Sequence, residues 1–273
     1  MKQKNGLTLS YSSIDILHQC PRKYFYRYIA KLFIPEETDA ILFGKMIHEI
    51  IEKLKDYTDD EIRNVFKMYQ QDKELREKYW EKILSTYKEK IPFAAKNIRN
   101  YFLYKVKNKN CQILYKEQEF NIDNYFVIKK NSILHKDDVP IHLQSKIDML
   151  IEDENKNLKI IDFKTSKDIK DYSKQLYFYD FMLKKSNFYN NSLKNGEIVF
   201  LVLNNSLEVK NYYFNENTYC ETKKIIQNTI DIIQNKGTNK ECKANWEKKP
   251  SKLCEYCPYY KKYCNPFEKE NNL

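Results

Sequence analysis

The sequence predicts an α/β protein, and three features predict it. Apolar residues recur at helical spacing in the first part of the chain, most clearly Phe43, Ile47, Ile50, Ile51 and Leu54. From about Cys111 the period changes to short runs rich in β-branched and aromatic residues: ILYKEQEFNI, NYFVIKK, IHLQSKIDMLI, LKIIDFKT and EIVFLVLNN. Between the last two lies DYSKQLYFYDFMLKK, which reads as a helix, giving the strand–strand–helix–strand order of a covered sheet.

Taken in order, residues 1–58 form an N-terminal helical segment. Its LSYSSIDILHQCPRKYFYRYIAKL reads as two helical pieces joined at Cys20-Pro21. Ser12 with Asp15 three residues on suits a helix start, and Pro21 suits the first turn of the next helix. Residues 59–110, rich in charge and aromatics and with one proline (Pro92), read as a helical insertion. Residues 111–216 hold the sheet core, and 217–273 return to helix before a cysteine-rich tail.

Composition narrows the chemistry. Lysine plus arginine number 48 against 38 aspartates plus glutamates, a net charge of +10, which favours a polyanionic partner, nucleic acid before membrane. The abundance of Lys, Asn, Ile and Tyr, as in AT-rich genomes, is the competing explanation. No run of about 18 apolar residues is present to span a membrane, and the N-terminus has no apolar core of a signal peptide, so a cytoplasmic protein is expected. The four glycines, Gly6, Gly44, Gly196 and Gly237, have no nucleotide-loop spacing, so any ATP-driven step falls to another chain.

The strongest chemical signal is Asp148 followed by Asp162-Phe163-Lys164. Strand alternation puts Asp162 and Lys164 on one face. If the intervening DENKN turns at Asn155, Asp148 and Asp162 stand opposite each other across an antiparallel hairpin, with Cβ atoms roughly 5 Å apart. Two facing carboxylates repel unless a hard cation such as Mg²⁺ or Mn²⁺ lies between them. A lysine beside such a cation suits hydrolysis of a phosphodiester. An ordinary solvated Asp-X-Lys face is the plainer alternative.

Seven cysteines without an export signal point to ligation or burial, not disulfides. Cys111 and Cys220 stand alone and read as core residues. Cys254, Cys257 and Cys264 form C-x₂-C-x₆-C and need a fourth ligand. Cys242 would complete a local zinc site, whereas the remote Cys20 would complete a Cys₄ iron–sulfur site.

LSYSSIDILHQCPRKYFYRYI, FGKMIH, SKIDMLI, IIDFKTSK, QLYFY and CEYCPYYKKYC occur in an order that resembles the RecB-type branch of the PD-(D/E)XK nucleases. That branch includes AddB-like repair nucleases and nucleases of CRISPR spacer acquisition. The resemblance implies a restriction-endonuclease-like mixed central sheet flanked by helices. It makes Asp148 and Asp162 metal ligands with His48 and the carbonyl of Phe163, and Lys164 the catalytic lysine. Gln175 and Tyr179 match a Gln-x-x-x-Tyr motif expected to support the lysine and the bound strand. The resemblance also chooses Cys20 over Cys242, implying a 4Fe–4S cluster on Cys20, Cys254, Cys257 and Cys264 that joins the N- and C-terminal segments. Ser145 stands where the family commonly has glycine.

The implied activity is a Mg²⁺- or Mn²⁺-dependent deoxyribonuclease, an exonuclease on single-stranded DNA or DNA ends, with a helicase or CRISPR-adaptation protein as a possible partner. A non-catalytic DNA-binding subunit and a zinc-stapled interaction protein are the alternatives. The lysines and tyrosines of 59–107, with Arg22, Lys23, Arg27, Tyr256, Tyr259 and Tyr260, read either as a basic aromatic channel or as a solvated face over core aromatics.

Overall fold

The computed structural model describes residues 6–35, 38–131, 133–166, 168–186, 188, 193–202 and 207–265. Lys167 of IIDFKTSK and the last residues of EIVFLVLNN lie outside these. In chain order come β1 (Leu7–Leu9), α1 (Tyr11–Gln19), α2 (Pro21–Tyr24) and α3 (Asp39–Lys53). A helical run follows: α4 (Asp59–Gln71), α5 (Lys73–Leu75), α6 (Ser85–Lys88) and α7 (Ile91–Tyr101). Then come β2 (Gln112–Ile128), β3 (Val139–Glu152), β4 (Leu158–Lys164), α8 (Ser173–Lys185), β5 (Leu193–Phe200), β6 (Glu208–Tyr213) and α9 (Glu216–Lys236). Among the described residues no helix is long and apolar enough to cross a membrane.

The chain divides into two compact units that interleave in sequence. One comprises Met1–Glu36, Asn121–Ser145 and Cys220–Leu273; the other comprises Glu37–Phe120 and Lys146–Tyr219. In the first, β1 pairs in parallel with β3 from Leu7–Ile141 to Leu9–Leu143. Helix α1 begins at Tyr11, capped by Ser10 and not Ser12: the Ser10 side chain accepts from the Ser13 amide and the Ser13 hydroxyl answers the Ser10 amide. Pro21 opens α2 as expected. Its Tyr24 stacks on buried Trp246, with ring centroids 5.5 Å apart. Arg22 is buried and donates to the Trp246 carbonyl, and buried Tyr259 donates to the Leu32 carbonyl at 2.7 Å. Both are therefore buried within this unit. Cys220 is exposed rather than core, because it falls on the polar side of α9.

The second unit holds a mixed sheet. β3 and β4 are antiparallel, β4 and β5 parallel, and β5 and β6 antiparallel. β2 also pairs with β3. Met149, Ile151, Ile161, Phe163 and Val199 of this sheet share one core with Phe43, Ile47 and Ile50 of α3, Ile62 and Phe66 of α4, and Ile98 and Tyr101 of α7. Each such side chain contributes roughly 1.5–3 kcal/mol by leaving water. Helices thus flank a mixed sheet, the α/β class read from the periods. The runs ILYKEQEFNI and NYFVIKK are one long strand and not two, because left-handed residues at Glu117 (φ 51°) and Asn124 (φ 51°) interrupt its alternation without ending it.

Candidate metal centre and active site

The hairpin between β3 and β4 brings the carboxylates together. Asp153 accepts from the amides of Asn155 and Asn157, both at 2.9 Å, closing a tight turn in which Lys156 takes φ 62°. The turn fixes the pairing Met149–Ile161 through Glu152–Leu158, and one further step along it sets Asp148 opposite Asp162. Alternation in β4 then separates two jobs. Phe163 points into the core, edge-on to Tyr101, while Asp162 and Lys164 share the other face with Nζ and Oδ2 2.6 Å apart. The Phe163 amide donates to Asp148 Oδ2 at 2.8 Å, tying the two strands at the site.

Helix α8 brings Gln175 to the same place. Gln175 accepts from Lys164 Nζ at 2.9 Å and donates from Nε2 to Asp162 Oδ1 at 2.9 Å and to the Tyr179 hydroxyl at 2.7 Å. One amide therefore fixes the lysine, a carboxylate and the tyrosine one turn on. Gly196 of β5 allows this approach, since a Cβ there would lie 3.1 Å from Leu176 of α8. The ring of Tyr172 lies 4.6 Å from Lys164 Nζ.

His48 reaches the site from α3, 3.4 Å from Asp148 Oδ2. Gly44, one turn earlier, sits against the loop after β4, with Thr165 Oγ1 3.2 Å from where a Cβ would be. The sequence reading missed one acid: Glu117 of β2, whose Oε1 lies 3.3 Å from His48 Nδ1. Its signal was weak, a glutamate in KEQEF whose left-handed backbone hides which face it takes. Ligand atoms of His48, Glu117 and Asp148 lie within 4.8 Å of one another, the sole such trio among the described residues. Asp162 is buried, with its Oδ2 paired to the Lys164 ammonium. Hard carboxylate oxygens with one imidazole, converging within 4.8 Å, are a donor set that fits Mg²⁺ or Mn²⁺.

The electrostatics agree. Burial would lower His48, but Asp148 and Glu117 hold its pKa well above the usual histidine value. Asp148 is held below the usual range against its burial, by His48 and Lys164. Burial pushes Asp162 up to about 6, opposed by Lys164 and assisted by Asp148. Lys164 is raised, Asp162 and Asp148 outweighing its burial. A carboxyl whose pKa rises on folding makes the folded state lose stability as pH climbs from about 4 through that raised value. Asp162→Asn should therefore raise the melting temperature of the metal-free protein at neutral pH by about 2–4 °C and flatten its pH dependence. Calorimetry across pH checks this; a lower melting temperature would mean that the loss of the Lys164 contact dominates.

Cys20, Cys254, Cys257 and Cys264 line one cavity within the first unit, together with Arg22, Lys23, Lys248 and Lys249. Burial raises the thiols of Cys257 and Cys264, opposed by Lys23 at the former and by Lys248 and Arg22 at the latter. Cys242 lies apart from that cavity, buried with its sulfur 3.9 Å from the Ile133 carbonyl.

A crystal structure of a provisionally named exonuclease from Eubacterium rectale aligns with 96% of this chain and 91% of its own, at 12% identity and a TM-score of 0.55, a likeness of fold. A second solved structure, SSO0001, aligns with 95% of this chain and 85% of its own at 13% identity and a TM-score of 0.42. No curated protein matches the sequence. The sequence model of one superfamily matches residues 8–265, nearly the whole chain, and by that match the chain belongs to the PD-(D/E)XK nuclease superfamily.

Proposed function

We propose that the protein is a Mg²⁺- or Mn²⁺-dependent deoxyribonuclease of the RecB-type branch, an exonuclease that trims single-stranded DNA or DNA ends. The observation that carries the reading is the convergence of His48, Glu117 and Asp148 on one point, beside an Asp162–Lys164–Gln175–Tyr179 network. The name of the Eubacterium rectale protein agrees with an exonuclease. Repair, recombination or spacer acquisition is the setting, with a helicase or CRISPR-adaptation protein as partner.

His48, Glu117, Asp148, Asp162 and the Phe163 carbonyl would hold the cation, which when bound supplies positive charge to the scissile phosphate and acidifies a water. Lys164 orients the attacking water and faces the negative charge that develops on the phosphate. Gln175 keeps the ammonium aimed there, and Tyr179 keeps Gln175 from rotating. In this reading 1–58 supplies Cys20 and His48, 59–110 the helical insertion, 111–216 the catalytic strands and 217–273 the cluster tail.

The same reading places a 4Fe–4S cluster on Cys20, Cys254, Cys257 and Cys264. The four cysteines line one cavity, and Cys242 lies outside it. The surrounding Arg22, Lys23, Lys248 and Lys249 would balance the negative charge of such a cluster.

The test is cleavage of end-labelled single- and double-stranded DNA by anaerobically purified protein with Mg²⁺ or Mn²⁺, alongside iron and zinc analysis. Metal-dependent shortening from one end supports the proposal. Folded, cluster-bearing protein that binds DNA without cutting it would instead indicate a non-catalytic subunit.

A further inference from the structure

Lys116 and Glu117 are neighbours on β2, yet both side chains reach the same helix. In a regular strand they would point to opposite faces. Lys116 Nζ donates to the carbonyls of Ile51 and Glu52, each at 3.4 Å, and to that of Leu54. These carbonyls terminate α3, the helix that carries His48 one turn earlier. Glu117 meets His48 itself, with Oε1 3.3 Å from Nδ1. The left-handed backbone of Glu117, φ 51°, is what lets consecutive side chains share a face.

The surroundings hold the ammonium in place. The ring of Tyr57 lies 4.9 Å from Lys116 Nζ and is stacked at 3.4 Å on buried Phe102. Tyr57 itself adopts φ 55°, a costly conformation for an aromatic residue. The turn that makes it do so is fixed separately, by Glu61 accepting the amides of Lys55, Asp56 and Tyr57 at 2.7–2.8 Å. A cation at the end of a helix satisfies carbonyls that have no partner within the helix and meets the negative end of its dipole. A strand thus grips the end of α3 with one residue and its histidine with the next.

We infer that Lys116 is a positioning residue: by anchoring the C-terminal carbonyls of α3 to β2 it sets the spacing between His48 and Glu117, and so the geometry of the cation site. Lys116 touches neither His48 nor the proposed cation position; it acts through the helix and through Glu117. The inference rests on the metal-dependent reading for its functional meaning, but the grip itself is a property of the metal-free chain.

Two measurements on the full chain separate these. The first is the imidazole NMR signal of His48 without metal, assigned among four histidines by its loss in His48→Asn. Glu117→Gln gives the signal of a His48 that keeps Asp148 but lacks the Glu117 carboxylate. Lys116→Met, which keeps the stem and removes the ammonium, should move the His48 signal towards that of Glu117→Gln. Asp72→Ala, which removes the side-chain cap of α5, should lower the melting temperature and leave the His48 signal in place. The second is Mn²⁺ affinity by electron paramagnetic resonance. It should weaken about tenfold in Lys116→Met, in line with residues that orient metal ligands from behind, recover in Lys116→Arg and stay unchanged in Asp72→Ala. A His48 signal unmoved in folded Lys116→Met overturns the inference, as does a shift of equal size in Asp72→Ala. If the His48 signal responds as expected but wild type and His48→Asn bind Mn²⁺ equally poorly, the metal reading fails while the grip stands.

Discussion

Lys164→Ala should reduce DNA cleavage by at least about 10³-fold while leaving the fold and Mn²⁺ binding in place. Lys164 is held by Gln175 at 2.9 Å and Asp162 at 2.6 Å and caps neither a helix nor a turn, so its loss removes chemistry before stability. Asp162→Asn should remove a comparable share of activity by a different route, weakening Mn²⁺ binding while stabilising the metal-free chain. The pair is diagnostic because the two variants differ in metal affinity at similar loss of rate. Gln175→Ala should fall between wild type and Lys164→Ala, since it frees the lysine without deleting it. Single-turnover cleavage at saturating Mn²⁺, read beside Mn²⁺ titrations, measures all three. Lys164→Ala cutting at near the wild-type rate would show that the Asp162–Lys164 face is not the reaction centre.

The second large effect concerns Cys20. On the proposed cluster ligation, Cys20→Ala should abolish the visible absorbance that such a cluster gives and lower the melting temperature by about 10 °C or more. A link closing a loop of nearly the whole chain contributes roughly 5 kcal/mol in the chain-entropy model of a covalent cross-link. A chain of this size shifts about 2–4 °C per kcal/mol. Binding that exists only in the folded state stabilises that state, and Cys20 is the one thiol of the cavity contributed by the N-terminal segment. Cys242→Ala, which alters a sulfur outside that cavity, should keep full absorbance. Absorption spectra, iron content and calorimetry on anaerobic protein decide it. Full absorbance and an unchanged melting temperature in Cys20→Ala would remove Cys20 from the ligand set; absorbance lost in Cys242→Ala instead would put Cys242 in its place.

Much was legible in the sequence because it depended on short-range periodicity. Two-residue alternation placed Asp162 and Lys164 on one face. The symmetric DENKN turn set Asp148 opposite Asp162, since a hairpin's register follows from its turn. The four-residue helical step put Gln175 beside Tyr179, and Pro21 marked a helix start because its fixed φ suits the first turn. The break in period near Cys111 gave the α/β class.

Other features were decided only when distant segments met. Glu117 joined His48 because its own backbone is left-handed, a conformation that a glutamate does not advertise and that tertiary contacts must hold. The same irregularity turned two predicted strands into one. Ser10 displaced Ser12 as the cap of α1 because β1 ends at Leu9 and fixes where the helix can begin, which no local propensity encodes. Arg22, read as lining a channel or a solvated face, is buried, and Tyr259 takes the core-aromatic alternative, since their polar ends find carbonyls of Trp246 and Leu32, far away in sequence. Sequence alone thus determined which residues share a face and which chemistry they offer. Tertiary structure decided which faces meet, because that choice belongs to long-range packing and to polar groups that must find partners before they can be buried.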